Sequence, residues 1–421
     1  MVAKSFNGVD APVGGQVITF ANGRATTPDK PIIPYFDGDG IGPEISLATR
    51  RVIDAAVKNA YGDKRQVMWY KIYGGEEATA KFGQLLPQDS LDAILHYGVG
   101  IKGPLSTPTG GTQRSLTVQM RKALDLNRCV RPVRYFPGVP SEVKHPEKMN
   151  IVIFRENIED VYAGIEFKFD SPEAAQLREL LRKLGATLRD DTGIGIKIMS
   201  RYNSERIVRA AIQHAIDNGL KTVTIAHKGN IQKYTEGAFV EWGYALAASE
   251  FADKIVTEAD LKSKYNWKMP EGKILLNDRI ADAMFAELLL RPERYSVIVT
   301  MNLNGDYFSD DAAAAVGGLG IAPGAHIGDT CAMFEATHGT AADIAGQNKA
   351  NPCSLLLSAV MMLEFFGWSE AAADVIKTIE TTIGKATVTG DLARLLPGST
   401  ELTTSAFADA LIANLPVKVQ V

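Results

Sequence analysis

The chain has 421 residues, 46% of them hydrophobic and 22% charged, the composition of a water-soluble globular protein with room for two or three domains. Its net charge of −4 offers no basic surface for nucleic acid or an anionic membrane, and no apolar run reaches the roughly 18 residues that a bilayer span requires. The cysteines Cys129, Cys331 and Cys353 are odd in number and lack metal-ligand spacing, and Met1 to Asp10 hold no apolar signal segment, so a reducing, cytoplasmic setting is expected.

Pro31 to Phe36 is predicted as a strand that runs into a glycine turn, Asp37 to Glu44. Ile45, Ala48, Val52, Ile53, Ala56 and Val57 then recur at helical spacing, with Pro43 near the first turn. Ala93 to Ile101, Asn150 to Phe154, Thr222 to Ala226 and Ser296 to Thr300 read as further strands. Between them, Ile207, Ala211, Ile212 and Ala215 form a helical stripe that stops at Gly219. Asp170 to Ile198 differs in texture. A charged helix, Pro172 to Leu184, precedes a β-branched stretch, so the segment is expected to be an inserted arm. Ala312 to Ala325 is expected to be a tightly packed helix end and loop. Alternating strands and helices predict an α/β fold on a largely parallel sheet.

Gly38, Gly40 and Gly42 mimic a dinucleotide fingerprint, but Pro43 stands where the third glycine belongs and two aspartates crowd the turn. A structural turn is therefore the better reading. Asp278 and Asp282 are four apart, as are Asp306 and Asp310. On helices each pair would share a face and repel unless a hard cation such as Mg²⁺ or Mn²⁺ intervened; helix starts would also favour negative charge. Arg114, Arg121, Arg131, Arg134 and Arg155 gather around Ser115 and Thr117 at a loop leading into a helix. Guanidinium forks and helix-start amides suit a substrate bearing several carboxylates. Lys228 follows a strand end, where a lysine near other cations can act as a base.

The segments Phe36 to Glu44, Lys102 to Pro104, Arg155 to Asn157, Asp160 to Gly164, His227 to Ile231, Asn302 to Tyr307 and Glu335 to Ala341 together resemble the β-decarboxylating dehydrogenases, the isocitrate/isopropylmalate dehydrogenase family. The resemblance runs from about residue 20 to the C-terminus with its motifs in order. Ser115 and the Asn302 to Tyr307 motif bring it nearest the bacterial-type isocitrate dehydrogenases. The implied fold is that family's α/β fold and not a Rossmann fold. It would have a large domain (1–126 and 317–421), a small domain (127–159 and 201–316) and an inserted clasp (160–200).

The resemblance implies metal-dependent oxidative decarboxylation of isocitrate. Ser115, Thr117, Arg121, Arg131, Arg155 and Lys102 would bind the substrate, and Thr117 departs from the asparagine usual there. Tyr162 and Lys228 would be the acid/base pair, and Asp282, Asp306 and Asp310 the ligands of Mg²⁺ or Mn²⁺. Lys228 and Asp282 would come from the neighbouring subunit of a homodimer. Leu105, Thr107, His338, Gly339, Thr340, Asp343, Ile344 and Asn351 would surround the cofactor. Asp343 and Ile344 stand where NADP-using relatives carry lysine and tyrosine, and Gly390 replaces a tyrosine, so NAD is expected, although Arg394 and Arg291 are retained. NADP, a homoisocitrate or isopropylmalate substrate, and an inactive regulatory subunit remain the alternatives.

Overall fold

Ile32–Phe36 is buried along its whole length, as a strand must be when helices cover both faces of its sheet. The structure, a computed structural model, describes residues 4–21, 23–106 and 115–417. Its main sheet has eleven strands. In spatial order they are Ile255–Thr257, Ile274–Ile280, Thr222–His227, Val297–Thr300, Asn150–Glu156, Arg128–Arg134, Pro323–Ile327, Ala332–Ala336, Val99–Lys102, Ile32–Phe36 and Met68–Lys71. Both wings are parallel. In the middle, Arg128–Arg134 and Pro323–Ile327 pair antiparallel with each other and with their outer neighbours. The predicted largely parallel sheet is therefore two parallel halves joined by an antiparallel seam.

Each half has its own apolar core. Helices Gly42–Tyr61, Cys353–Phe365 and Ser369–Gly384 pack one, and helices Arg201–Asp217 and Glu236–Glu250 the other. The helical stripes named above are the buried faces of Gly42–Tyr61 and Arg201–Asp217. Asp160–Phe167 and Ile194–Ile198 leave the main sheet and pair antiparallel with each other. The helix between them, Pro172–Lys183, starts at Ser171, whose hydroxyl accepts from the Ala174 amide. Ala312 to Ala325 is a helix end followed by a short turn and the first residues of a strand.

Two local expectations fail. Ala93 to Ile101 is not one strand: helix Gln88–Tyr97 ends at Gly98, and the strand Val99–Lys102 follows. The buried side chains Leu91, Ala93, Ile94 and Tyr97 belong to one helical face, which a short apolar run cannot distinguish from a buried strand. Asp278 and Asp282 do not share a helix. Asp278 lies in the strand Ile274–Ile280, and Asp282 opens helix Ala281–Leu290. Among the described residues no helix is long and apolar enough to cross a membrane.

Candidate active site

At the antiparallel seam, Cys129 stands opposite Arg155, and Arg131 follows two positions on. Period-two alternation turns Arg131 and Arg155 to the same face of the sheet. Helix Asn302–Ala315 crosses that face with Asp306 and Asp310 one turn apart. A Cβ at Gly305 would collide with the Arg155 side chain, so glycine there lets the helix backbone lie against the arginine. Arg155 is 1% exposed. Its Nη1 pairs with Asp306, its Nε donates to Asn302 Oδ1 at 2.9 Å, and its guanidinium sits 4.8 Å from the Tyr162 ring centroid. Arg131 donates to Ser309 and lies 3.3 Å from Asp310 and 3.6 Å from Asp306. The Tyr162 hydroxyl donates to Asp306 Oδ2 at 2.8 Å. Burial alone would raise the Asp306 carboxyl, but Arg155, Arg131 and the Tyr162 hydroxyl hold it below the usual range. Burial pushes Asp310 and the Tyr162 phenol upward.

A second charged layer adjoins the first. Arg121 comes from helix Leu116–Ala123, with Ser115 at the start of that helix making no capping bond with its hydroxyl and Thr117 half-buried on its first turn. Glu335 pairs with Lys102, with Arg121 at 3.5 Å, and with His326. Lys102, Arg121, Glu335 and His326 are all buried. Burial opposes ionisation of Glu335, yet the Lys102 charge, the hydrogen bond with His326 and the Arg121 charge hold its carboxyl well below the ordinary range. The arginine cluster thus keeps an excess of positive charge. Among the described residues, Arg121 Nε and Arg131 Nε are buried donors with no partner. Buried donors without partners are costly, and carboxylate oxygens on a bound substrate would satisfy them. Leu105 packs half-buried against the core around Phe36 and Tyr70. Thr107 and Arg114 lie outside the described residues.

Lys228 and Asp282 form a separate cluster. Lys228 Nζ pairs with Asp282, and its backbone amide donates to Glu236, which also accepts from Asn304 at 2.9 Å. Asp278 is taken up by His227 at 3.1 Å and by the Tyr244 hydroxyl at 2.8 Å, which removes it as a cation ligand. Asp306 and Asp310 offer hard oxygens suited to Mg²⁺ or Mn²⁺. Among the described residues of one chain, no third acidic, histidine or cysteine side chain joins them in a metal-binding group.

Beside the arginine cluster a cavity of about 620 Å³ is lined by Ile41, His338, Gly339, Ile344, Lys349, Ala350, Asn351, Asp391 and Arg394, among others. His338, Gly339, Ile344 and Asn351 were expected there. Thr340 instead forms the contact that shapes the glycine turn: its carbonyl accepts from the Ile41 amide at 2.9 Å. Gly40, at φ 59°, faces that carbonyl with no room for a Cβ. Asp39 is used up by the amides of Glu76 and Ser106, at 2.8 and 2.7 Å, and Asp37 by Lys71 at 2.7 Å. The turn is a structural clamp, as the failed fingerprint implies. The sequence reading missed Lys349 and Asp391. Asp391 orients Asn351 through a 2.9 Å bond across 40 residues of chain, a juxtaposition that no local spacing reveals.

Asp343 does not line the cavity. It stands exposed in the short turn Ala342–Ile344, and its backbone carbonyl accepts from Gln347. Arg291 is paired with Glu287 at 2.8 Å and does not line it either.

A family model described as isocitrate/isopropylmalate dehydrogenase matches residues 32–411. An Archaeoglobus fulgidus protein named isocitrate dehydrogenase [NADP] is 51% identical over 410 residues, covering 97% of this chain and 98% of its own. A Coxiella burnetii protein of the same name is 51% identical over 417 residues, covering 98% and 97%. A crystal structure of isocitrate dehydrogenase from Methylococcus capsulatus superposes with a TM-score of 0.76 at 36% identity, covering 91% of this chain and 99% of that one. The NADP names of relatives at this identity overturn the expectation of NAD. Asp343 stands exposed beside the cleft and not in its lining, whereas Lys349 and Arg394 line it and supply positive charge.

Proposed function

From the premise that the chain belongs to the isocitrate/isopropylmalate dehydrogenase family and is an isocitrate dehydrogenase by its relatives, we propose that it oxidatively decarboxylates isocitrate to 2-oxoglutarate and CO₂ with reduction of NADP. The observation that carries the substrate reading is the buried cluster of Arg121, Arg131 and Arg155, with two of its Nε donors unpartnered. Those arginines, with Ser115, Thr117 and Lys102, bind the substrate carboxylates and turn the C2 hydrogen toward the nicotinamide. Lys228 accepts the proton of the substrate hydroxyl, and Tyr162 returns a proton to C3 after CO₂ has left. Asp306 and Asp310 would hold Mg²⁺ or Mn²⁺, with Asp282 of a second copy completing the oxygen set. A bound divalent cation supplies Lewis-acid polarisation of the hydroxyl and its neighbouring carboxylate.

In one chain Lys228 pairs with Asp282 and Tyr162 with Asp306; in a homodimer each copy would complete the other's site with its Lys228 and Asp282. In this reading 1–126 with 317–421 is the large domain, 127–159 with 201–316 the small one, and 160–200 the clasp. The three buried free cysteines are consistent with a cytoplasmic enzyme. For the nucleotide, His338, Gly339, Ile344 and Asn351 take the adenosine portion, while Lys349 and Arg394 face the 2′-phosphate. The test is the initial rate with isocitrate and Mg²⁺ over a concentration series of each nucleotide. A larger kcat/KM with NADP than with NAD is expected. Turnover of isopropylmalate or homoisocitrate but not isocitrate would overturn the substrate reading, and a preference for NAD would overturn the nucleotide reading.

A further inference from the structure

His326 is 1% exposed and lies between Asn157 and Glu335, with the Cys129 thiol also bonded to it from the position opposite on the neighbouring strand. On one side, Asn157 Nδ2 donates to the Leu126 carbonyl at 2.8 Å, which fixes the amide so that its nitrogen is the inward atom. The same nitrogen lies 3.1 Å from His326 Nδ1. An amide nitrogen only donates, so Nδ1 accepts and the ring proton sits on Nε2. On the other side, Nε2 meets Glu335 Oε1, the oxygen that also faces Arg121; the second oxygen, Oε2, takes Lys102.

We propose that His326 is a positioning residue: a neutral imidazole, protonated on Nε2, that orients the Glu335 carboxylate so that it holds Lys102 and Arg121 in place for the substrate. The inference rests on the proposed isocitrate reaction. The chemistry explains the residue type. Lys102 and Arg121 carry two positive charges against the one negative charge of Glu335, and that excess attracts an anionic substrate. A neutral donor ties down the free side of Glu335 without changing the charge count. A lysine or arginine at 326 would add a third buried cation, and an apolar residue would leave Glu335 able to turn away from Arg121. The strands supply the rigidity. Glu335 is in register with Lys102, and His326 lies in the neighbouring antiparallel strand.

The experiment pairs kinetics with nitrogen-15 NMR of the histidine rings in the intact protein. The wild type is expected to show His326 with a protonated Nε2 and a bare Nδ1. A doubly protonated ring, paired with the thiolate of the adjacent Cys129, would overturn the proposal. His326→Leu is expected to raise the KM for isocitrate about tenfold with kcat nearly unchanged. His326→Gln, which keeps a donor at the Nε2 position, is expected to recover most of that loss. Unchanged KM in His326→Leu, or an equal rise in both variants, would overturn it, because a merely structural residue lowers the melting temperature of both alike. Where His326→Leu does not fold, the wild-type spectrum and the KM of His326→Gln decide. If the wild type turns over no isocitrate, the functional reading fails, and the positioning is still read from the ring tautomer and from the Lys102 ammonium resonance in His326→Gln.

Discussion

The arginine pocket is built from sheet strands and two helices that bury Lys102, Arg121, Arg131, Arg155 and Glu335, while the cleft proposed for the nucleotide is lined by loop backbone, glycines and more open cations. In the pocket, every guanidinium has a carboxylate partner yet some buried donors stay unfilled, which is costly until an anion arrives. In the cleft, solvent screens the rim and no single side chain governs. The difference explains why Arg121, Arg131 and Arg155 were readable as a group, whereas one exposed residue, Asp343, misdirected the nucleotide assignment.

Substitutions in each region test that contrast. Arg155→Leu leaves Asp306 half-buried without its closest cation and removes a fork from the substrate, so kcat/KM for isocitrate is expected to fall by about three orders of magnitude, the scale of breaking a buried ion pair. A loss under tenfold, with the fold intact by circular dichroism, would show that the pocket is no more tightly determined than the cleft. Just beyond the pocket, burial pushes the Glu156 carboxyl from an ordinary 4.5 up to about 7, against the amides of Ile158 and Glu159. A carboxyl whose folded value is raised favours folding in its protonated form, so this contribution is present below pH about 4.5 and is lost as pH rises through about 7. The swing is on the order of 3 kcal/mol. Glu156→Gln removes the titration, and its melting temperature should fall less between pH 5 and pH 8, taken as roughly bracketing that window, than that of the wild type. Parallel melting curves would refute the assignment.

Effects in the cleft should be smaller and more easily screened. Arg394→Ala is expected to raise the KM for NADP by about tenfold or somewhat more while leaving that for isocitrate alone. Its effect should shrink as ionic strength rises, unlike that of Arg155→Leu. A rise in the isocitrate KM instead would place Arg394 in the wrong region. Smallest of all, Asp343→Lys should alter the NADP KM only about two- to fivefold, the scale of an exposed charge. A change of a hundredfold would return Asp343 to the centre of nucleotide choice.

The residues along the chain already contained the helical stripes of Gly42–Tyr61 and Arg201–Asp217, the inserted helix Pro172–Lys183, and the strands around Ile32, Ile151, Val223 and Val297. These depend on local periodicity, which a sequence displays directly. The failure of the glycine fingerprint was equally visible, because a misplaced proline is a covalent fact. Local pattern could not distinguish a short buried helix from a strand at Ala93 to Tyr97, nor could it show that Asp278 leaves its neighbour to bond His227 and Tyr244. Folding alone brings Glu335 against Lys102 on adjacent parallel strands, His326 against Glu335 on an antiparallel pair, and Asp391 against Asn351 outside the main sheet. Such pairings link residues far apart in the chain, and their energy comes from shared burial, which exists only once the strands have assembled.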